Sequence, residues 1–134
     1  MTEIIFYTGI KDELPFLIKL SEKTVKMRRN ACIATRDPEH SKSVSEYLWS
    51  HDPTKFIPHS IGADELTNDL TTLELRHDDG SSHLDILINL TPKTPDHFSS
   101  FQRLVEIVTD HKISIETGRE RFKWYRDPGY AIKV

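Results

Sequence analysis

The residues best placed to do chemistry lie near the C-terminal end of the chain. Arg119, Lys123 and Arg126 recur at i, i+4 and i+7, with Phe122 beside them. On a helix that spacing is one stripe, and like charges along it repel unless an acid or an anion offsets them. Glu116 and Glu120 offset part of the charge. Two readings follow. One is a solvated helix face. The other is a socket for an acidic peptide, with cations for its carboxylates and an apolar floor for a hydrophobic residue.

A second segment is rich in large aromatics. Trp49 precedes an irregular stretch in which Phe56 sits between Pro53 and Pro58. Aromatics there are core plugs or the exposed anchors of a protein interface. His77, Asp78, Asp79 and His83 form a third cluster. It reads as a polar turn before Gly80, or as the metal corner of a small hydrolase. Phe122, Trp124 and Tyr125 with their neighbouring cations allow a further reading, direct stacking on single-stranded DNA.

Other chemistry finds little support. The glycines are Gly9, Gly62, Gly80, Gly118 and Gly129, too far apart for G-x-G-x-x-G or a P-loop. A lone glycine after the first strand cannot build the cradle of N–H groups that a pyrophosphate needs. No G-x-S-x-G elbow occurs, and Cys32 sits in an apolar run as a small buried hydrophobe. No cofactor and no metal are expected, and no catalytic residue is assigned.

These residues must be positioned by alternating elements. Ile4, Ile5, Phe6 and Tyr7 read as a buried strand. Leu14, Leu17, Ile18, Ser21 and Val25 then make one helical face, capped by Asp12 and ending near Asn30. Ala31–Ala34 is a second strand, and Asp37-Pro38 opens a second helix carrying Val44, Tyr47 and Leu48. Residues 49–65 read as irregular. Strands are expected at 72–76 and 84–90, with a turn at 78–82 between them. A short helix follows at 96–101. Residues 104–108 are a strand or that helix continued. A helix at 116–126 is closed by Asp127-Pro128-Gly129, and 130–134 is a terminal strand or tail. This order predicts a three-layer α/β/α domain with a largely parallel central sheet, similar to nucleotide-binding folds but without a phosphate loop. Residues 1–134 are expected to form one domain.

Composition agrees with a globular chain: 37% of residues are hydrophobic and 29% charged. The formal net charge of −3 argues against a domain that coats nucleic acid. Between Glu116 and Val134 five cations (Arg119, Arg121, Lys123, Arg126, Lys133) face only Glu116, Glu120 and Asp127. That imbalance suggests one local anionic contact. The opening MTEIIFYTG lacks a basic start and a long apolar run, so no signal peptide or membrane partner is expected. A single cysteine agrees with a cytoplasmic location.

The pattern L-W-x(6)-F-I-P-H at residues 48–59, with R-E-R-F-K-W-Y-R-D-P-G-Y at 119–130 and D-I-L-I-N-L at 85–90, resembles the chi subunit of bacterial DNA polymerase III. The resemblance spans nearly the whole chain. It implies a non-catalytic clamp-loader accessory subunit. Its partners would be the psi subunit and the acidic C-terminal tail of the single-stranded DNA-binding protein. Contact with nucleic acid would be mainly indirect. The resemblance places Trp49, Phe56 and Pro58 on the psi-facing side, where a helicase is a further candidate partner. It places Val108, Arg119, Phe122, Lys123 and Arg126 at the tail socket. Arg119 would pair with the tail's terminal carboxylate, Lys123 and Arg126 would face its aspartates, and Val108 and Phe122 would pack on its last phenylalanine.

Overall fold

The computed structural model describes residues 2–50, 59–61, 73–77 and 85–134. Among them seven strands form one sheet: β1 (Glu3–Ile10), β2 (Ala31–Ala34), β3 (His59–Ile61), β4 (Leu73–Arg76), β5 (Ile86–Asn89), β6 (Arg103–Thr109) and β7 (Ile132–Lys133). Their order is β3-β4-β2-β5-β6-β1-β7, and every pairing is parallel. Three helices of the described residues flank it: α1 (Glu13–Lys26), α2 (Pro38–Ser50) and α3 (Lys112–Arg126).

Strand alternation divides the core in two. Ala31, Ile33, Leu73, Leu75, Ile86 and Ile88 face one side, where Leu17 and Ile18 of α1 and Val44 and Leu48 of α2 cover them. Cys32, Leu87, Leu104, Ile4 and Phe6 face the other, against Phe98, Phe101 and Tyr125. This arrangement is the expected three-layer α/β/α fold, and strands buried on both faces read as continuous apolar runs.

Local chemistry explains most boundaries. Asp37 Oδ1 accepts the His40 N–H at 2.7 Å, capping α2 as the Asp37-Pro38 pair predicted. Asp12 occupies the N-cap of α1 but its side chain makes no capping bond. Helix α1 stops at Lys26, before Asn30, because Arg28 turns into the left-handed region at φ 55°. Residues 104–108 belong to β6, and the short helix at 96–101 shrinks to a 3₁₀ turn over Phe98–Ser100. The irregular reading of 49–65 is corrected at two places: α2 runs through Ser50, and His59–Ile61 pairs with β4. Three residues bounded by Pro58 and Gly62 are too few to show a period. The expected turn at 78–82 lies outside the described residues.

The face under α3 carries an internal charge. Glu106, fully buried on β6, pairs with Arg121 of α3 and accepts the Asn89 amide N–H at 2.6 Å. Arg121 also donates to the Pro92 carbonyl at 3.2 Å. Burial pushes the Glu106 carboxyl up to about 7, against the pull of the Arg121 charge and of the hydrogen bonds from Arg121 and Asn89. Between its ordinary value of 4.5 and about 7, the folded protein holds a proton that the unfolded chain has lost. This group therefore makes stability fall as pH rises through that window. Denaturant titrations from pH 4 to 8 are expected to show that decline, and Glu106→Gln is expected to flatten it. Glu13, raised mainly by burial, leaves a smaller slope of the same sign. An unchanged slope in Glu106→Gln would remove Glu106 as its source.

Candidate functional site

Helix α3 begins four residues earlier than its sequence suggests. Ser114 Oγ accepts the Thr109 N–H at 2.9 Å, so the end of β6 and the first turn of the helix are tied together. The alternation of Lys112, Ile113, Ser114 and Ile115 conceals this start, because it is also a strand period. At the far end, Gly129 at φ 96° lets the chain reverse, and the Tyr130 N–H returns to the Tyr125 carbonyl at 3.2 Å. The Ile4 N–H then binds the Ala131 carbonyl, leading into β7.

Three contacts seat the helix on the sheet. The Glu106–Arg121 pair fixes its rotation. Tyr125 is fully buried and meets Phe6 and Phe98 edge-on at centroid distances of 6.0 and 5.4 Å. Gly118 sets the separation: a Cβ built there would lie 2.8 Å from Val108 Cγ2. The missing side chain lets helix and strand approach more closely than any other residue would allow.

The result is a cavity of about 390 Å³ between α3 and the C-terminal ends of β1 and β6. Phe6 and Val108 form its floor, Ile115, Gly118 and Phe122 its helical wall, and Arg119 stands exposed on the same wall. Phe122 packs edge-on against Phe6 at 5.5 Å. Asp110 is the acid at the rim. An apolar pocket with a guanidinium at its mouth can receive a hydrophobic side chain and a carboxylate together.

Of the candidate residues, Val108, Arg119 and Phe122 meet around this cavity, although 11 to 14 positions separate the strand residue from the helical ones. Lys123 and Arg126 are exposed on α3 and do not line it. Arg126 makes an exposed 3.6 Å ion pair with Asp127. Trp49 stands in the last turn of α2 and is 51% exposed. Phe56, Pro58, Asp78, Asp79 and His83 lie outside the described residues, while His77 borders a different cleft. Among the described residues no three histidines, cysteines or acids cluster as metal ligands do. No helix of the described residues is long and apolar enough to cross a membrane. Trp124 is half-exposed, with its ring against Phe98 and Tyr125.

A family model described as "DNA polymerase III chi subunit, HolC" matches residues 1–133. The chain belongs to the chi-subunit family of DNA polymerase III. A chi subunit from Pseudomonas aeruginosa is 29% identical over 99% of this chain and 95% of its own length. One from Haemophilus influenzae is 30% identical over 79% of this chain and 74% of its own. The Escherichia coli K12 subunit is 29% identical over 79% and 73%.

Within this family member, sequence reasoning missed Phe6, Ile115 and Gly118 as parts of the cavity. Gly118 carried a usable signal, since a glycine inside a helix is destabilising unless packing requires it. Gly118→Ala is expected to lower stability by about 1 kcal/mol, because overpacking against stiff Val108 outweighs the gain in helix propensity. Adding Val108→Ala should relieve the clash, so the double variant should be more stable than the sum of the two single losses. Strict additivity in denaturant melts would show that Gly118 does not set the separation.

Proposed function

We propose that this protein is a non-catalytic, cytoplasmic adaptor at the replication fork. It joins the polymerase III clamp-loader assembly, through the psi subunit, to the acidic C-terminal tail of the single-stranded DNA-binding protein. Membership of the chi-subunit family supports a replication accessory role. The observation that carries the tail assignment is the shared cavity of Val108, Phe122 and Arg119.

In this reading the tail's last phenylalanine enters between Val108, Phe122 and Phe6. Its terminal carboxylate meets the Arg119 guanidinium, whose planar fork matches two oxygens. Lys123 and Arg126 flank the cavity as a longer-range field for the tail's aspartates, without belonging to its wall. Gly118 contributes by holding the floor and the helical wall close together. The psi subunit docks at the half-exposed Trp49, with Phe56 and Pro58 as its proposed neighbours. A contact this small, with its charge in water, implies weak, salt-sensitive binding.

Titration of a peptide copying the acidic tail tests the reading. Binding is expected for the full peptide and is expected to be lost when its last phenylalanine is removed. Arg119→Ala should cost about 2 kcal/mol of affinity, the scale of breaking a charge-assisted pair. Lys123→Ala should cost less and act mainly through salt dependence. Undiminished binding by Arg119→Ala would take Arg119 out of the proposal, and binding independent of the terminal phenylalanine would take the cavity out.

A further inference from the structure

The connections leaving adjacent strands β2 and β5 diverge. After β2 the chain passes through α2, on one face of the sheet, to β3 at the edge. After β5 it passes through the Phe98–Ser100 turn, on the opposite face, to β6 in the other direction. Where neighbouring parallel strands part in this way, a crevice opens beyond their carboxyl ends, and open parallel sheets bind ligands there. In this chain the crevice is a cleft of about 480 Å³, lined by residues 34–36 at the end of β2, 76–77 at the end of β4 and 91–97 after β5. It is separate from the cavity beside Arg119, with which it shares no lining residue.

Its side chains are cationic on a protein of net charge −3. Among the described residues Arg36, Arg76 and Lys93 line it, against one acid, Asp96. Arg76 is held in the wall by its 2.7 Å ion pair with buried Glu74. Arg36 and Lys93 are exposed and form no ion pair among the described residues. Thr35, Thr91 and Thr94 add hydroxyls, and Pro92, Pro95 and the His97 imidazole supply flat surfaces. His97 is itself braced edge-on against Phe101 at 5.5 Å.

We propose that this crevice binds a nucleoside phosphate. Arg36 and Lys93 neutralise the phosphates from their side chains, and the base lies against the prolines and the imidazole. The volume suits such a ligand and exceeds what a bare phosphate needs. The glycine-poor turn after β1 rules out only a backbone cradle in that turn, so a side-chain site at β2 and β5 does not conflict with it. The idea is independent of the tail-binding proposal and uses none of its residues.

Amide chemical-shift titration of the whole chain tests it, with ATP, adenosine, tripolyphosphate and a short oligothymidylate as probes. ATP is expected to give saturable shifts at Arg36, Thr91 and Lys93. Adenosine and tripolyphosphate should each bind more weakly. Lys93→Glu or Arg36→Glu, both at exposed positions, should weaken ATP at least about tenfold, while Arg119→Glu should leave it unchanged. The proposal fails if ATP does not saturate, if its shifts centre on Val108 and Phe122, or if Lys93→Glu binds it normally. It fails equally if tripolyphosphate matches ATP, or if only the oligothymidylate binds.

Discussion

The buried pair of Glu106 and Arg121 is the contact on which the working surfaces of this molecule depend. Apolar packing alone would let a helix slide or roll over a sheet, since hydrophobic contact has no direction. An ion pair in the interior has direction, and Asn89 and the Pro92 carbonyl narrow it further. Once Arg121 points at Glu106, helical geometry fixes the remainder: Ile115, Arg119 and Phe122 fall on one flank of α3, and Ile113 and Thr117 on the other. Breaking such a pair by removing one partner leaves an uncompensated charge in the core, typically costing about 3–5 kcal/mol. The pair is thus less a source of stability than a device for setting orientation.

Gly118 supplies the complementary constraint. Arg121 determines which way α3 faces, and Gly118 determines how near it comes. The cavity beside Arg119 exists because both are satisfied at once. With a wider separation Phe122 would lose its edge contact with Phe6, and the floor would no longer meet the wall.

Much of this was legible in the sequence, and the reasons for the rest are specific. Continuous apolar runs gave away β1, β2 and β5, because parallel strands covered on both faces have no polar side to show. The Asp37-Pro38 pair marked α2 because capping is a local interaction. The start of α3 was hidden by its alternating first turn, and β3 by its three-residue length. At the candidate site, the cationic stripe and Phe122 lay in one continuous segment and could be found by spacing. Val108 was named through family resemblance alone. Phe6 lies in an apolar run that reads as core, and nothing in spacing joins it to residues more than a hundred positions away. Nothing in spacing sets Arg121 apart from the other cations of the C-terminal segment. Its partner Glu106 interrupts the apolar run from Leu104 to Val108, a pattern that hints at a buried acid but not at what balances it.

The chain's acidity also bears on selectivity. A protein of net charge −3 repels polyanions at long range, so the exposed cations of α3 act only on a ligand already close to them. A general nucleic-acid surface would need positive charge spread along a groove. Here two recesses of the described residues bear positive charge: the cavity with Arg119 at its rim, and the crevice holding Arg36 and Lys93. The first adjoins an apolar pocket and favours a ligand that ends in both a hydrophobic group and a carboxylate. The second adjoins hydroxyls and flat rings and favours a compact polar anion. Two local cationic sites on an acidic body discriminate between ligands by what lies next to the charge, because the charge itself is the same in both.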